Sequence, residues 1–102
     1  MERSIPLNGR TPQQIHVFYS GRVQGVGFRM TAEETAHRVR VVGWVKNLRD
    51  GRVELVAEGD KQLLAKFLKA LRTGPMANFI TNVHVTWGPS TDQFDEFEIR
   101  YF

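Results

Sequence analysis

The sequence contains no cysteine. Disulfide staples, thiolate nucleophiles and cysteine-ligated zinc are excluded, and the chain suits a reducing compartment; we expect it in the cytoplasm. Histidine is scarce, with His16, His37 and His84 scattered along the chain. Each reads as a surface or partly packed residue rather than a nucleophile, which would need an orienting partner. No apolar run approaches the ~20 residues needed to cross a bilayer, and the opening MERSIPLNGRTPQQ lacks the apolar centre of a secretory signal. Pro6, Gly9 and Pro12 fall in the polar stretch 1–13, which reads as a mobile tail ahead of a domain over 14–102. Charge of one sign is not concentrated either: the net charge is +3 and the ten arginines form no long basic run. That excess favours small anions or, weakly, nucleic acid, without choosing between them.

What is present is a chain of 102 residues, 41% hydrophobic and 25% charged, enough for one compact core. Ile15, Val17 and Tyr19 alternate as one face of a strand. From Phe28 the spacing changes: Phe28, Ala32, Ala36 and Val39 share one face of a helix. Residues 41–48 are β-rich, Asp50-Gly51 signals a hairpin, and residues 53–58 return as the next strand, with Gly59 read as its break. Asp60 is a candidate N-cap for a second helix, striped by Leu63, Leu64, Phe67, Leu68 and Leu71 and closed by Gly74-Pro75. Alternation returns over 79–87 and again at Phe97, Ile99 and Tyr101. The order is β-α-β-β-α-β plus a final strand. Right-handed crossovers place both helices on one face of an antiparallel sheet. The expected class is α+β, a two-layer ferredoxin-like sandwich.

The densest motif is GRVQGVGFR at 21–29, between the first strand and the first helix. Amide groups at a helix N-terminus are unpaired and carry partial positive charge. Glycines let neighbouring amides turn inward around one anion, and Arg29 can add two parallel donors. The stretch lacks the Gly-Lys-Ser/Thr of a P-loop and the GxGxxG of a dinucleotide site. On the residues alone, a phosphate cradle competes with a flexible connection bearing an incidental arginine. Asn47 competes likewise with a plain polar residue ahead of the hairpin.

GRVQGVGFR, followed by Gly43-Trp44-Val45-Lys46-Asn47, then Asp50-Gly51-Arg52-Val53-Glu54, closely resembles the acylphosphatase family, from about residue 15 to the closing Phe97-Glu98-Ile99-Arg100-Tyr101. The resemblance implies the same ferredoxin-like fold and hydrolysis of the carboxyl–phosphate bond of acyl phosphates. It implies Arg29 and Asn47 as catalytic residues, with a phosphate-binding loop over Gln24, Gly25, Val26, Gly27 and Phe28 acting mainly through backbone N–H groups. No metal and no cofactor are implied. The expected partner is a small acyl phosphate, with inorganic phosphate or sulfate able to occupy the loop. We expect a monomer, no membrane association and no nucleic-acid partner.

Three features depart from the family pattern. Leu48 stands where some members carry a small hydroxyl residue, the chain runs one residue past the usual tyrosine ending, and the tail has no family counterpart. Two rivals are weighed. Hydrogenase-maturation carbamoyltransferases begin with an acylphosphatase-like domain, but there a proline usually follows the loop arginine, where this chain has Met30. A catalytically silent phosphate- or RNA-binding module of the same fold would use sheet aromatics, with Phe18 and Tyr19 as candidates.

Overall fold

The computed structural model describes residues 12–101. Five strands, β1 (Pro12–Gly21), β2 (Val42–Asn47), β3 (Val53–Asp60), β4 (Ile80–Pro89) and β5 (Phe97–Arg100), form one sheet in the order β4-β1-β3-β2-β5. Two helices, α1 (Phe28–Val39) and α2 (Lys61–Thr73), pack side by side on one face. This is the expected two-layer sandwich, with one amendment. β1 pairs antiparallel with β3 and β4, and β2 antiparallel with β3, but β5 runs parallel to β2. The sheet is therefore mixed. Alternation within a strand reports its faces and carries no information about a neighbour's direction.

The core follows the predicted faces. Ile15, Val17 and Tyr19 are fully buried, beneath Phe28, Ala32 and Ala36 of α1 and Leu64, Phe67 and Leu71 of α2. Asp60 caps α2 by accepting from the Gln62 amide at 3.3 Å. Leu48 and Arg52 close the hairpin between β2 and β3, with Leu48 N–H donating to the Arg52 carbonyl at 2.8 Å.

Two boundaries differ from expectation for one shared reason. Pro12 and Gln13, assigned to the tail, belong to β1, and Gly59 does not break β3. Pro12 pairs with Asp60 and Gln13 with Gly59, so each extension supplies the other's partner. Proline is tolerated at the first position of a strand. Local breaker rules cannot see a partner distant in sequence. The rest of the predicted tail, residues 1–11, lies outside the described residues.

Glu58 on β3 is buried and ties down the connection between β4 and β5. Its carboxylate accepts from Gln14 Nε2 at 2.7 Å, Ser90 Oγ at 2.9 Å, Thr91 N at 2.9 Å, Thr91 Oγ1 at 2.8 Å and Asp92 N at 3.1 Å. Burial pushes this carboxyl up, but the donors outweigh burial and hold it below its ordinary value. A depressed folded value contributes stability above the unfolded carboxylate pKa of about 4.3, lost as pH falls through the folded value. Glu58→Gln should therefore lower stability by about 1–3 kcal/mol at pH 7, because several donors lose a charged acceptor. The gap between variant and wild type should shrink below about pH 4. Urea unfolding at pH 7 and pH 3 checks this; a gap independent of pH would refute the assignment.

Candidate active site

The first motif is built from the core outward. Phe28 opens α1 fully buried, its ring 4.8 Å from that of Tyr19. That contact fixes where the helix begins. Gly27 precedes it in the left-handed region, φ 84°, with no side-chain cap, and Gly25 is left-handed too, φ 77°. L-residues with a Cβ rarely take these angles. The first amides of α1 have no intrahelical carbonyl to bond, and no cap residue covers them.

Gln24 holds this loop in place from the side. Its Nε2 donates to the carbonyls of Leu48 at 2.7 Å and Arg52 at 2.9 Å, binding the loop to the base of the β2–β3 hairpin. The Leu48 departure is thereby placed: at this position the backbone carbonyl makes the contact to the loop.

Asn47 ends β2 on the same side of the molecule. A pocket of about 200 Å³ is lined by Val23, Gly25, Gly27, Phe28, Arg29, Met30, Asn47, Ile99 and Tyr101. Five of the residues singled out from sequence, Gly25, Gly27, Phe28, Arg29 and Asn47, converge there. Gln24 and Val26 do not line it: Gln24 braces the hairpin and Val26 packs against the core. Sequence reasoning missed Val23, Met30, Ile99 and Tyr101 as site residues. Nothing in a local pattern distinguishes an apolar side chain at a pocket wall from one in the core.

Among the described residues, the Arg29 and Asn47 side chains have no ion-pair or hydrogen-bond partner. Arg29 has no ion pair among the described residues; its guanidinium lies over the Tyr101 ring, 5.0 Å from the centroid. The Asn47 Oδ1 is buried without a hydrogen-bond partner. Buried acceptors are nearly always paired, so this one calls for a donor that the described residues do not supply. Among the described residues the wall contains no Asp, Glu or Lys, and no His, Asp and Glu side chains cluster as metal ligands.

Against this geometry, comparison with known protein families matches residues 15–99 to the acylphosphatases. The chain belongs to the acylphosphatase family. An acylphosphatase of Syntrophotalea carbinolica is 41% identical over 90 residues, covering 88% of this chain and 98% of the relative. The crystal structure of acylphosphatase from Bacillus subtilis superposes with a TM-score of 0.82 at 39% identity, covering 87% of this chain and 99% of that one. Full-length HypF shares the fold, with a TM-score of 0.77, at 21% identity. This chain covers only 12% of it. The acylphosphatase family is one of hydrolases acting on acyl phosphates, and this chain is an acylphosphatase by sequence and by fold.

The remaining candidates fall outside the acylphosphatase pocket. Tyr19, considered for base stacking, is fully buried in the core, and Phe18 lies under the Arg52 guanidinium, 4.7 Å away. His16 is bound to Glu54 at 2.6 Å, and His37 meets the Phe97 carbonyl at 3.1 Å. A larger groove of about 480 Å³ between α2 and β4 contains neither Arg29 nor Asn47. No helix among the described residues is long and apolar enough to cross a membrane.

Proposed function

We propose that this chain hydrolyses acyl phosphates without a metal, using Arg29 and the amides of the 24–28 loop to hold the phosphate and Asn47 to orient the attacking water. The observation that carries this reading is the convergence on one pocket of a guanidinium with no ion pair among the described residues, left-handed Gly25 and Gly27 at a helix N-terminus, and an amide whose buried acceptor has no partner among them. Phosphoryl transfer relies on positioning and charge stabilisation, with little covalent chemistry for the protein to perform. Arg29 and the loop amides neutralise charge growing on the phosphoryl oxygens. Asn47 holds a water in line with the scissile bond. The water oxygen bonds to phosphorus, the P–O bond to the acyl group breaks with its electron pair, and the proton ends on inorganic phosphate. The carboxylate leaves as a weak base, so no strong general acid is needed, in keeping with a pocket wall free of Asp and Glu among the described residues.

All three components come from one chain, which favours a monomer as the working unit, and the absence of cysteine favours a cytoplasmic setting. Inorganic phosphate and sulfate are the expected occupants of the loop without substrate. Hydrolysis of benzoyl phosphate in the presence of a chelator tests the reading. Wild type should turn over undiminished, and Asn47→Ala should lose about 10²–10³-fold in kcat, the loss typical of one positioned polar group. Removing an unpartnered acceptor leaves no buried group newly unsatisfied, so the variant should unfold at wild-type urea concentrations. Chelator-sensitive wild type, or an active Asn47→Ala, would overturn the assignment.

A further inference from the structure

Large apolar side chains exposed among the described residues are few: Met30 at 62%, Trp87 at 41% and Tyr101 at 72%. Two of these, Met30 and Tyr101, line the same pocket as Arg29 and Asn47. Ile99 joins them, half-buried. Their placement follows from the parallel strand. β5 pairs Ile99 with Val45 and Arg100 with Lys46, so Tyr101 follows one step beyond, at the level of Asn47. Met30 follows Arg29 in the first turn of α1. The pocket wall thus carries two chemistries: glycine backbone, Arg29 and Asn47 are polar, and Met30, Ile99 and Tyr101 add a largely apolar surface beside them, with the Arg29 guanidinium lying over the Tyr101 ring.

We propose that Met30, Ile99 and Tyr101 form an acyl-group subsite that selects acyl phosphates with uncharged, apolar acyl groups, alkanoyl or aroyl. The inference rests on the assignment of the phosphate to Arg29 and the loop, since that places the acyl group against the remaining wall. An apolar tail covers the two exposed side chains and removes its own surface from water. A tail ending in a carboxylate gains neither, because Arg29, the one cation on the wall among the described residues, is occupied by the phosphate. Desolvating such a group against Met30 and Ile99 is unfavourable.

The test compares kcat/KM for acetyl, butyryl, hexanoyl and succinyl phosphates in wild type, Met30→Ala and Met30→Lys. The leaving carboxylates of the alkanoyl series have nearly equal basicity, so differences report contact with the tail. Met30 is chosen over Tyr101 because the Tyr101 ring also touches Arg29. Wild type should favour hexanoyl over acetyl by about tenfold, below the range of an enclosed pocket because this wall is open. Met30→Ala should reduce that ratio to about threefold, and Met30→Lys should raise succinyl relative to butyryl. A wild type indifferent to chain length, or a ratio unchanged in Met30→Ala, overturns the subsite while leaving the Arg29 and Asn47 assignment intact. Failure to hydrolyse any of the four phosphates overturns both.

Discussion

Arg29→Ala should lower kcat by about 10³-fold or more while the protein stays folded. A charged guanidinium acting on a transferring phosphoryl group is worth about 10³–10⁵ in rate, and among the described residues Arg29 is the only cation lining the pocket. Its surroundings explain why the fold should survive. It forms no ion pair among the described residues, so none of their carboxylates is orphaned. It also places a positive charge at the N-terminal, positive end of α1, which is unfavourable by about 0.3–1 kcal/mol. Loss of the contact with Tyr101, worth about 0.5–1 kcal/mol, offsets that relief. The variant's stability should therefore match wild type within about 0.5 kcal/mol. Arg29→Lys keeps the charge but loses the planar fork, and should recover little of the rate. Inorganic phosphate, which stabilises the folded state by mass action, should raise the melting temperature of wild type and leave that of Arg29→Ala unmoved. Benzoyl phosphate turnover with thermal melts, with and without phosphate, measures all of this. An Arg29→Ala enzyme retaining more than about a tenth of wild-type kcat would remove Arg29 from the mechanism.

Gly43→Ala should be the most damaging small substitution for stability, at about 3–5 kcal/mol from positive-φ strain and overpacking together. Gly43 adopts φ 142° in β2. A Cβ there would overlap the Val56 carbonyl oxygen and stand 2.9 Å from Ala57 Cα. Neither side can give way: Gly43 pairs with Ala57 of β3 and Phe97 of β5, and its N–H donates to the Glu96 carbonyl at 3.0 Å. For a domain whose whole stability is about 5–15 kcal/mol, the loss is a large share. The same position joins the parts of the site, since β2 carries Asn47 and β5 carries Ile99 and leads directly into Tyr101. Gly27→Ala is the contrast. Its added Cβ meets nothing within 4 Å, so only left-handed strain of roughly 1–2 kcal/mol remains. Urea midpoints of the two variants decide; a Gly43→Ala loss no greater than that of Gly27→Ala would contradict the steric account.

Much of this molecule was legible in its sequence because the relevant forces act locally. Period-two and period-3.6 burial placed Val17, Tyr19, Phe28, Ala36 and Phe67 in the core, the Asp60 cap is a contact two residues long, and GRVQGVGFR carries both its backbone freedom and its charge within nine residues. The family motifs singled out Arg29 and Asn47, which the fold brings to one pocket. The direction of β5, the zipping of Pro12–Gln13 against Gly59–Asp60, the brace from Gln24 to the hairpin carbonyls, the Glu58 clasp on the 90–92 loop and the apolar wall of Met30, Ile99 and Tyr101 were decided only by tertiary structure. Each depends on a partner distant in sequence, and hydrogen bonding and burial are satisfied by whatever group the fold brings near. Residue type and spacing determine which side chains are available for such contacts. Which of them meet is settled when the chain closes its core.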